Sequence, residues 1–397
     1  MSLKNLLLSI MTALFFIGMA ATDIYISSLP TMAEEFNTSP EVVNLTLSAY
    51  NGSMAIFVLF AAVLSERFGR RKVMIFAATL FCACAFLISI ASDIWVIISL
   101  RAVQAIGTAF VVVVSREVFK DTLDEREQLR ANAIILLGLV LSPALAPIIG
   151  AYLSEHFGWR SCFVFIGAVS FPLTLLVIKF LPETCKYRIN KLPTAKNFFL
   201  DYFRILKNRY FLFMTLTYIS SNGAFYTFIG ISSYMYIENY QLSQLSYAYI
   251  YAFIATAYLA GNQFMLYLNK RNAPYAKILN YGITYTAVGA IATLAVSLLA
   301  DCFTALVIVT LASALMRASG AMINPTTQVL TMNHFKDDGG MALALSMSVM
   351  FIVMSFSISA ISLFSEHPVF GIGLISTFFS LIGMIGFRLV KNSIRDR

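Results

Sequence analysis

Apolar runs of about twenty residues, separated by short charged or turn-rich breaks, occupy most of this chain. An α-helix needs about 20 such residues to cross a lipid bilayer. Only 12% of the 397 residues are charged, which is about half of the share found in soluble domains. Because so little charge cannot cover a water-facing surface, the chain is predicted to be an all-α polytopic membrane protein.

The breaks between the apolar runs predict twelve transmembrane helices. The first run is too long for the apolar core of a signal peptide and contains Asp23, so it is interpreted as a span of the mature protein. The predicted helices cover residues 6–29, 43–65, 72–92, 94–116, 129–153, 161–181, 210–236, 245–268, 275–299, 302–331, 340–364 and 369–390.

Basic residues are distributed asymmetrically among the predicted loops. If the N-terminus is cytoplasmic, all but three of the 28 Lys and Arg residues fall at cytoplasmic helix ends or loops. Arg160 falls outside, and Arg101 and Arg317 lie within spans. Since cytoplasmic loops of membrane proteins are enriched in Lys and Arg, both termini are predicted to be cytoplasmic. The net charge of +8 is thus explained by topology, and no nucleic-acid partner is expected.

The longest predicted connection covers residues 182–209 and is rich in Lys and Arg. Its central position divides the chain into an N-terminal six-helix half, 1–181, and a C-terminal six-helix half, 210–397. A basic segment beside a membrane is attracted to anionic lipid headgroups. The connection is therefore predicted to be an amphipathic cytoplasmic linker.

Side chains for enzyme chemistry are scarce in this sequence. The three histidines fall in predicted loops, and the five cysteines are odd in number and lie in or near apolar segments. Neither a disulfide framework nor a metal site is predicted from them. A membrane enzyme is accordingly the least favoured class, and no cofactor or metal is expected.

The loop after the second predicted helix contains the most specific motif, residues 64–72, which read LSERFGRRK. It resembles the loop signature of the major facilitator superfamily, Gly-x-Leu-Ser-Asp-Arg-x-Gly-Arg-Arg, with Ala62 in place of Gly and Glu66 in place of Asp. In that family the loop latches helices together and gates the inward–outward switch. The resemblance implies that role for five residues: Glu66, Arg67, Gly69, Arg70 and Arg71.

Further motifs, in the correct order over nearly the whole chain, resemble those of bicyclomycin-resistance-type multidrug exporters of this superfamily, the twelve-helix drug:proton antiporters. They are Ala21-Thr22-Asp23-Ile24-Tyr25, Leu29-Pro30, Leu45-Thr46-Leu47-Ser48-Ala49-Tyr50, Arg101-x-x-Gln104-x-x-Gly107, Ser142-Pro143-x-x-Ala146-Pro147-x-x-Gly150, Trp159-Arg160, Leu181-Pro182-Glu183-Thr184 and Gly320-x-x-x-Asn324-Pro325. The resemblance implies two pseudo-symmetric halves around a central cavity, a bacterial inner-membrane location and a protein that functions as a monomer.

The fifth predicted helix has a proline motif made of Pro143, Pro147 and Gly150. Ser142, Ala146 and Ala151 stand where the antiporter form of the motif commonly has glycines. Small residues permit close helix approach and prolines bend a helix. A coupling role and simple helix packing both remain open for this motif.

Asp23 is the only acidic residue well inside a predicted span, and Arg101 lies at nearly the same depth. At 1.5 Å per residue they lie ~9 and ~10 Å from the outer ends of their helices. Opposite charges at one depth can pair, which reduces the cost of burying them. We therefore expect Asp23 and Arg101, with Gln104, to couple transport to proton movement, as acidic helix-one and basic helix-four positions do in the resembled family.

Arg317 lies near the middle of the tenth predicted helix, and Met316-Arg317-Ala318 faintly repeats Leu100-Arg101-Ala102. An anion contact in the cavity and a purely structural partner are both open for it. Aromatic and amide groups suit the walls of a cavity for amphipathic ligands. The predicted cavity residues are Tyr25, Tyr50, Asn51, Tyr218, Asn222, Tyr226 and Arg317.

The leading hypothesis is a proton-coupled antiporter that exports small amphipathic compounds or drugs by alternating access, driven by the proton gradient. Its partners would be the substrate, protons and the lipid bilayer. A second hypothesis is a transporter, in either direction, of a small anionic metabolite or siderophore that Arg317 and Arg101 bind. A third is a transporter-like sensor or assembly factor without flux.

Overall fold

The computed structural model describes residues 3–185, 195–299, 303–336 and 338–395. These residues form helices joined by short turns. The helices are α1 Leu3–Asp23, α2 Leu29–Glu35, α3 Pro40–Phe68, α4 Arg70–Ser89, α5 Ile94–Thr122, α6 Glu125–Phe157, α7 Arg160–Phe180, α8 Ala195–Leu206, α9 Arg209–Ser233, α10 Gln244–Lys270, α11 Tyr275–Leu299, α12 Phe303–His334, α13 Gly339–Ile361 and α14 Pro368–Arg395.

Nine helical segments of the described residues are long and apolar enough to cross a membrane, which confirms the all-helical, multi-pass character of the chain. They correspond to α1 with α2 and to α3, α4, α5, α7, α11, α12, α13 and α14. Helices α6, α9 and α10 lie at the remaining three predicted ranges. Their assignment as spans, and with it the number twelve, stays a prediction.

The first span is broken, whereas the sequence predicted one continuous helix over 6–29. Helix α1 ends at Asp23, a 3₁₀ turn follows at Ile26–Ser28, and α2 begins at Leu29. Pro30 lies in the first turn of α2. A proline is favoured there because the amide hydrogen that it lacks would have no helical acceptor. The same residue would interrupt a continuous helix, which explains the restart at this point.

The contacts within the chain define two compact units. Unit 1 comprises Met1–Pro193 and Gln241–Tyr249, and unit 2 comprises Thr194–Tyr240 and Ile250–Arg397. In unit 1, α1 packs on α5, α6 and α7, and α4 packs on α5 and α7. In unit 2, α9 packs on α12, α13 and α14, and α11 packs on α12 and α14. The order of helix partners therefore recurs in the two units. The predicted domain limits 1–181, 182–209 and 210–397 stay a prediction.

Helix α8 lies within the predicted linker, of which residues 186–194 are outside the described part. Phe198, Tyr202 and Ile205 are buried, in a helix that packs on α9 and α13, whereas Phe199 and Phe203 are exposed. Burial raises the pKa of the Tyr202 phenol to about 12, so this group stays uncharged in the cell. A helix with an exposed apolar side beside a membrane fits the predicted attraction to the lipid interface.

Helix α6 approaches the break in α1 so closely that no side chain fits between them. A Cβ built on Gly150 would lie 1.5 Å from the carbonyl oxygen of Ile24. Cys162 of α7 donates its thiol to the Gly150 carbonyl at 3.4 Å. The glycine of the proline motif thus fixes the contact between α6 and the interrupted backbone of the first span.

We expect Gly150→Ala to lower the thermal midpoint of the purified protein in detergent, because the added methyl group forces α1 and α6 apart. Overpacking of this kind costs about 1–3 kcal/mol or more. Gly340→Ala is the matched control, since a Cβ at Gly340 meets no heavy atom within 4 Å. Equal midpoints for the two variants would show that the close approach is absent.

Candidate functional site

Arg70 is the centre of an ion-pair cluster in unit 1. Gly69 ends α3 with a φ of 96°, a conformation that favours glycine, and the chain turns there into α4. The Arg70 guanidinium is buried and lies 3.1 Å from Glu117 Oε2 and 3.3 Å from Asp121 Oδ2. The Glu66 carboxylate is farther away, at 3.8 Å. The acids of α5 are therefore its closer partners.

Residues that follow α7 complete the Arg70 cluster. The Arg70 amide donates to Glu183 Oε1 at 2.9 Å, and the Thr184 hydroxyl donates to Asp121 Oδ2 at 3.3 Å. Arg71 donates instead to the carbonyl of Ile178 at 2.9 Å. The cluster thus joins the ends of α3, α4 and α5 with the segment after α7.

The sequence identified only one side of this cluster. Glu117 and Asp121 were missed because the fourth helix was predicted to end at residue 116, so both fell into a loop. The signal was their spacing of four residues, which places two acids on one face when the helix continues. The gating role of the loop residues, Glu66, Arg67, Gly69, Arg70 and Arg71, stays a prediction.

Arg101 lies fully buried in an aromatic box formed by α3, α7 and the turn after α1. Its Cζ atom is 4.1 Å from the ring centroid of Tyr50, 4.9 Å from that of Tyr25 and 5.9 Å from that of Phe163. A guanidinium over an aromatic face gains about 0.5–2 kcal/mol. It also donates to Gln104 Oε1 at 2.7 Å, which lies one helical turn farther along α5.

Tyrosine hydroxyls tie this box to its surroundings. The Tyr50 hydroxyl lies 2.7 Å from Thr108 Oγ1 and 3.2 Å from the carbonyl of Gly18 on α1. The Tyr25 hydroxyl lies 2.9 Å from Thr46 Oγ1. These bonds fix the two rings against which the guanidinium packs. Phe163 and Thr108 were missed by sequence reasoning, because neither belongs to a charged or amide-rich pattern.

Asp23 is the last residue of α1, directly before the break in the first span. Its side chain is 9% exposed. Both Asp23 and Arg101 lie near enough to the Tyr50 hydroxyl to act on it electrostatically. The structure therefore brings the predicted coupling residues Asp23, Arg101 and Gln104 into one region of unit 1. Direct pairing of Asp23 with Arg101 stays a prediction.

An apolar cavity of about 650 Å³ lies beside the same break, between α1, α6 and α7. Ile24, Ala146 and Ile149 contribute to its lining. Pro147, in the middle of α6, is buried, and Pro143 is half-buried. The cavity gives unit 1 a large space without charged walls near Asp23.

Unit 2 has a polar network on α9 and α12. The Asn222 amide donates to Asn324 Oδ1 at 2.9 Å, and Asn324 donates back at 3.4 Å. Gln328 donates to the Tyr218 hydroxyl at 3.2 Å, and this hydroxyl donates to the sulfur of Met350 at 3.0 Å. Two predicted cavity residues, Tyr218 and Asn222, thus belong to one network, to which the sequence had not assigned Asn324 or Gln328.

Arg317 of α12 lies between two aromatic rings. Its Cζ atom is 4.6 Å from the ring centroid of Phe225 and 4.8 Å from that of Tyr258. The Nε atom is buried, with no hydrogen-bond partner among the described residues. Arg317 is half-buried as a whole. Its guanidinium therefore packs between two rings, and the residue remains partly exposed.

The two remaining predicted cavity residues are Asn51 and Tyr226. The amide nitrogen of Asn51 donates to the Leu47 carbonyl of its own helix at 3.1 Å, as a structural residue would. Tyr226 is half-buried on α9. The central cavity to which they were assigned stays a prediction.

A sequence model of the Major Facilitator Superfamily matches residues 9–358 of the chain. The chain belongs to this superfamily. The members of the family are transporters and not enzymes. The match over residues 9–358 confirms the family that the sequence motifs predicted.

Similar curated proteins include Multidrug resistance protein D of Escherichia coli K12, which is 33% identical over 181 residues, 45% of each chain. The Chloramphenicol resistance protein of Pseudomonas aeruginosa is 28% identical over 66% of this chain and 60% of its own. The Multidrug resistance protein MdtL of Escherichia coli O45:K1 is 29% identical over 61% of each chain. The alignments thus span less than two thirds of the length of these three relatives.

Solved structures share the fold. That of a D-xylose-proton symporter superposes with a TM-score of 0.75 at 13% identity and covers 96% of this chain and 97% of the symporter. A bacterial homolog of the human lysosomal transporter Spinster gives 0.75 at 14% identity, covering 100% and 98% of the two chains. At these identities the similarity shows the fold alone.

We expect Arg70→Ala to lower the thermal midpoint of the detergent-purified protein, because it leaves Glu117 and Asp121 partly buried without their cation. Removing one partner of such a cluster costs about 1–3 kcal/mol, since its acids are partly exposed. Arg71→Ala, which removes an exposed arginine bonded to one carbonyl, should change the midpoint by less. The reverse order of the two midpoints would contradict the central position of Arg70.

Proposed function

We propose that this transporter is a proton-coupled antiporter that exports small amphipathic organic compounds or drugs across the bacterial inner membrane. The proposal includes twelve spans in two six-helix halves around a cavity, with both termini in the cytoplasm. The similar drug-resistance proteins of bacteria and the recurring order of helix partners in the two units support it.

One observation is decisive for this proposal: Asp23 is buried at an interrupted helix, beside the aromatic box of Arg101. A carboxyl group inside a membrane is costly to keep ionised and is functional by default. The carboxyl end of a helix has a partial negative charge, which opposes a second negative charge at Asp23. Gain and loss of a proton at this position therefore change the local electrostatic energy strongly.

The coupling follows from this electrostatic change. Ionised Asp23 is attracted to the Arg101 guanidinium, and this state favours loading of substrate from the cytoplasm. Protonation from the acidic outside removes the attraction, so that α1 and α5 are held together less strongly and the substrate is released. A proton can drive the switch only if the inward-facing and outward-facing states bind it with different affinities.

The interrupted first span suits this task. A helix that ends at Asp23 and restarts at Leu29 lets the two segments move separately, with Ile26–Ser28 as the joint. Discontinuous helices with binding groups at their inner ends are a common feature of secondary transporters. The tight contact of Ile24 with Gly150 transmits a movement of this joint to α6.

We expect Asp23→Asn to abolish substrate flux driven by a pH gradient, while the protein still inserts and folds. The measurement uses purified protein in liposomes with an internal pH-sensitive dye, and it records proton movement together with flux of chloramphenicol and ethidium. The asparagine retains the shape of the side chain and cannot take up a proton, so both signals should vanish together.

Asp93→Asn is the matched control. Asp93 is the exposed N-cap of α5, where its side chain accepts the amide hydrogen of Trp95, and asparagine is an equally good N-cap. This variant should transport like the wild type. Gradient-driven flux that persists in Asp23→Asn at the wild-type rate would overturn the coupling role of Asp23.

A further inference from the structure

The two intramembrane arginines have matching surroundings in the two units. Arg101 lies on α5 and Arg317 on α12, which are corresponding helices of the two units. Each arginine packs on a tyrosine, and in both units the two residues before that tyrosine are a small hydroxyl residue and an alanine. These segments are Ser48-Ala49-Tyr50 and Thr256-Ala257-Tyr258. A second ring, from Tyr25 or Phe225, completes each pair. Unit 2 thus contains a second arginine–aromatic box.

The two boxes differ one helical turn beyond the arginine. In unit 1 this position is Gln104, whose side-chain oxygen accepts a hydrogen bond from Arg101 at 2.7 Å. In unit 2 the same position is Gly320, which has no side chain. A Cβ at Gly320 would meet nothing closer than 3.7 Å. A side chain could start there in ordinary van der Waals contact, but unit 2 lacks the side-chain acceptor that Gln104 offers to the guanidinium in unit 1.

Polar groups border the space beside Gly320. The nearest atoms are Asn324 Nδ2 and Ser221 Oγ, both 3.7 Å from the built Cβ, and a ring carbon of Tyr258 at 3.9 Å. The hydroxyl of Ser221 is buried and has no hydrogen-bond partner among the described residues. Hydrogen-bonding groups and an aromatic edge thus surround the position that the side chain of residue 320 would take, one helical turn from a cation.

The guanidinium of Arg317 lacks an anion among the described residues of its unit. Its contacts there are the two rings, and its buried Nε donates to none of the described groups. A positive charge inside a membrane is stable only when it has a counter-charge or acceptors. The rings offset part of this cost, and an incoming anion would offset the rest.

We propose that the face of α12 that bears Arg317 and Gly320 binds the carboxylate of an amphipathic aromatic substrate. Arg317 donates to the carboxylate oxygens, Ser221 and Asn324 add hydrogen bonds, and Phe225 and Tyr258 contact the apolar part. The proposal rests on the proposed transport function, because the bound ligand is taken to be the transported compound. It adds amphipathic organic anions to the compounds that the exporter would carry, in line with the alternative that the sequence left open.

The test measures binding and needs no flux. Purified protein in detergent is titrated with 1-naphthoate, and with the neutral 1-naphthamide, which has the same ring and shape. The readout is the rise of the thermal midpoint with ligand concentration, from which an affinity follows. We expect naphthoate to bind the wild type at least tenfold more tightly than naphthamide, as a charged hydrogen bond implies.

Two variants of the site and one control locate the effect. Arg317→Gln should weaken naphthoate binding about ten- to hundredfold. Gly320→Gln should weaken it similarly although it retains the charge, because the new amide oxygen competes with naphthoate as an acceptor for Arg317, as Gln104 accepts from Arg101 in unit 1. Arg271→Gln is the control: Arg271 is exposed and packs on Tyr267 at 4.7 Å, so its loss should not affect binding.

Equal binding of naphthoate and naphthamide, or no binding of naphthoate to the wild type, would overturn the proposal. Unchanged naphthoate affinity in Gly320→Gln would overturn the location even if Arg317→Gln fails to fold. The result is separate from that for Asp23→Asn. Naphthoate binding that depends on Arg317, without gradient-driven flux of naphthoate, chloramphenicol or ethidium, would retain the anion site and reject the antiport mechanism.

Discussion

A guanidinium buried among aromatic rings is the constraint on which the interior of unit 1 depends. Arg101 is fully buried, and its support among the described residues is one hydrogen bond to Gln104 and the faces of Tyr25 and Tyr50, while its Nε and Nη2 atoms have no hydrogen-bond partner there. Those rings are in turn fixed by hydroxyl contacts to Thr46 and Thr108. In a low-dielectric interior such a network is strong when complete and costly when broken. Three helical segments are therefore held at defined distances by one cation.

The same physics explains why the two units can share a fold and differ in chemistry. Their order of helix partners recurs, and each has an arginine on the corresponding helix, packed on a tyrosine. The difference comes from single residues. Asp23 and Gln104 give unit 1 an acid and an acceptor, whereas unit 2 has Gly320 at the position of the acceptor. The two proposals accordingly place proton coupling in unit 1 and anion recognition in unit 2.

Much of the fold could be predicted from the sequence because hydrocarbon imposes a simple rule on helix length and polarity. Apart from the broken first span and α8, the helices lie close to the predicted ranges, and the family follows from motifs such as residues 64–72. The break after Asp23 was missed, since apolarity continues through Ile24 and Ile26 and only Pro30 signals a restart. The acids of the Arg70 cluster were missed because α5 extends to Thr122, beyond the apolar run. Contacts such as Asn222 with Asn324 join residues far apart in sequence, and no local pattern encodes them.

The aspartate within the first span has a consequence for the insertion of this span into the membrane during biosynthesis. Asp23 leaves the ribosome well before Arg101 is made, so the first segment must enter the bilayer without its cationic neighbour. An aspartate near the middle of a helix raises the free energy of membrane insertion by about 3 kcal/mol. Each leucine, isoleucine or phenylalanine lowers it by about 0.5 kcal/mol. The dense run of such residues in α1 offsets this cost. The apolar excess before Asp23 thus serves membrane insertion, and Arg101 joins the surroundings of Asp23 only after translation has reached α5.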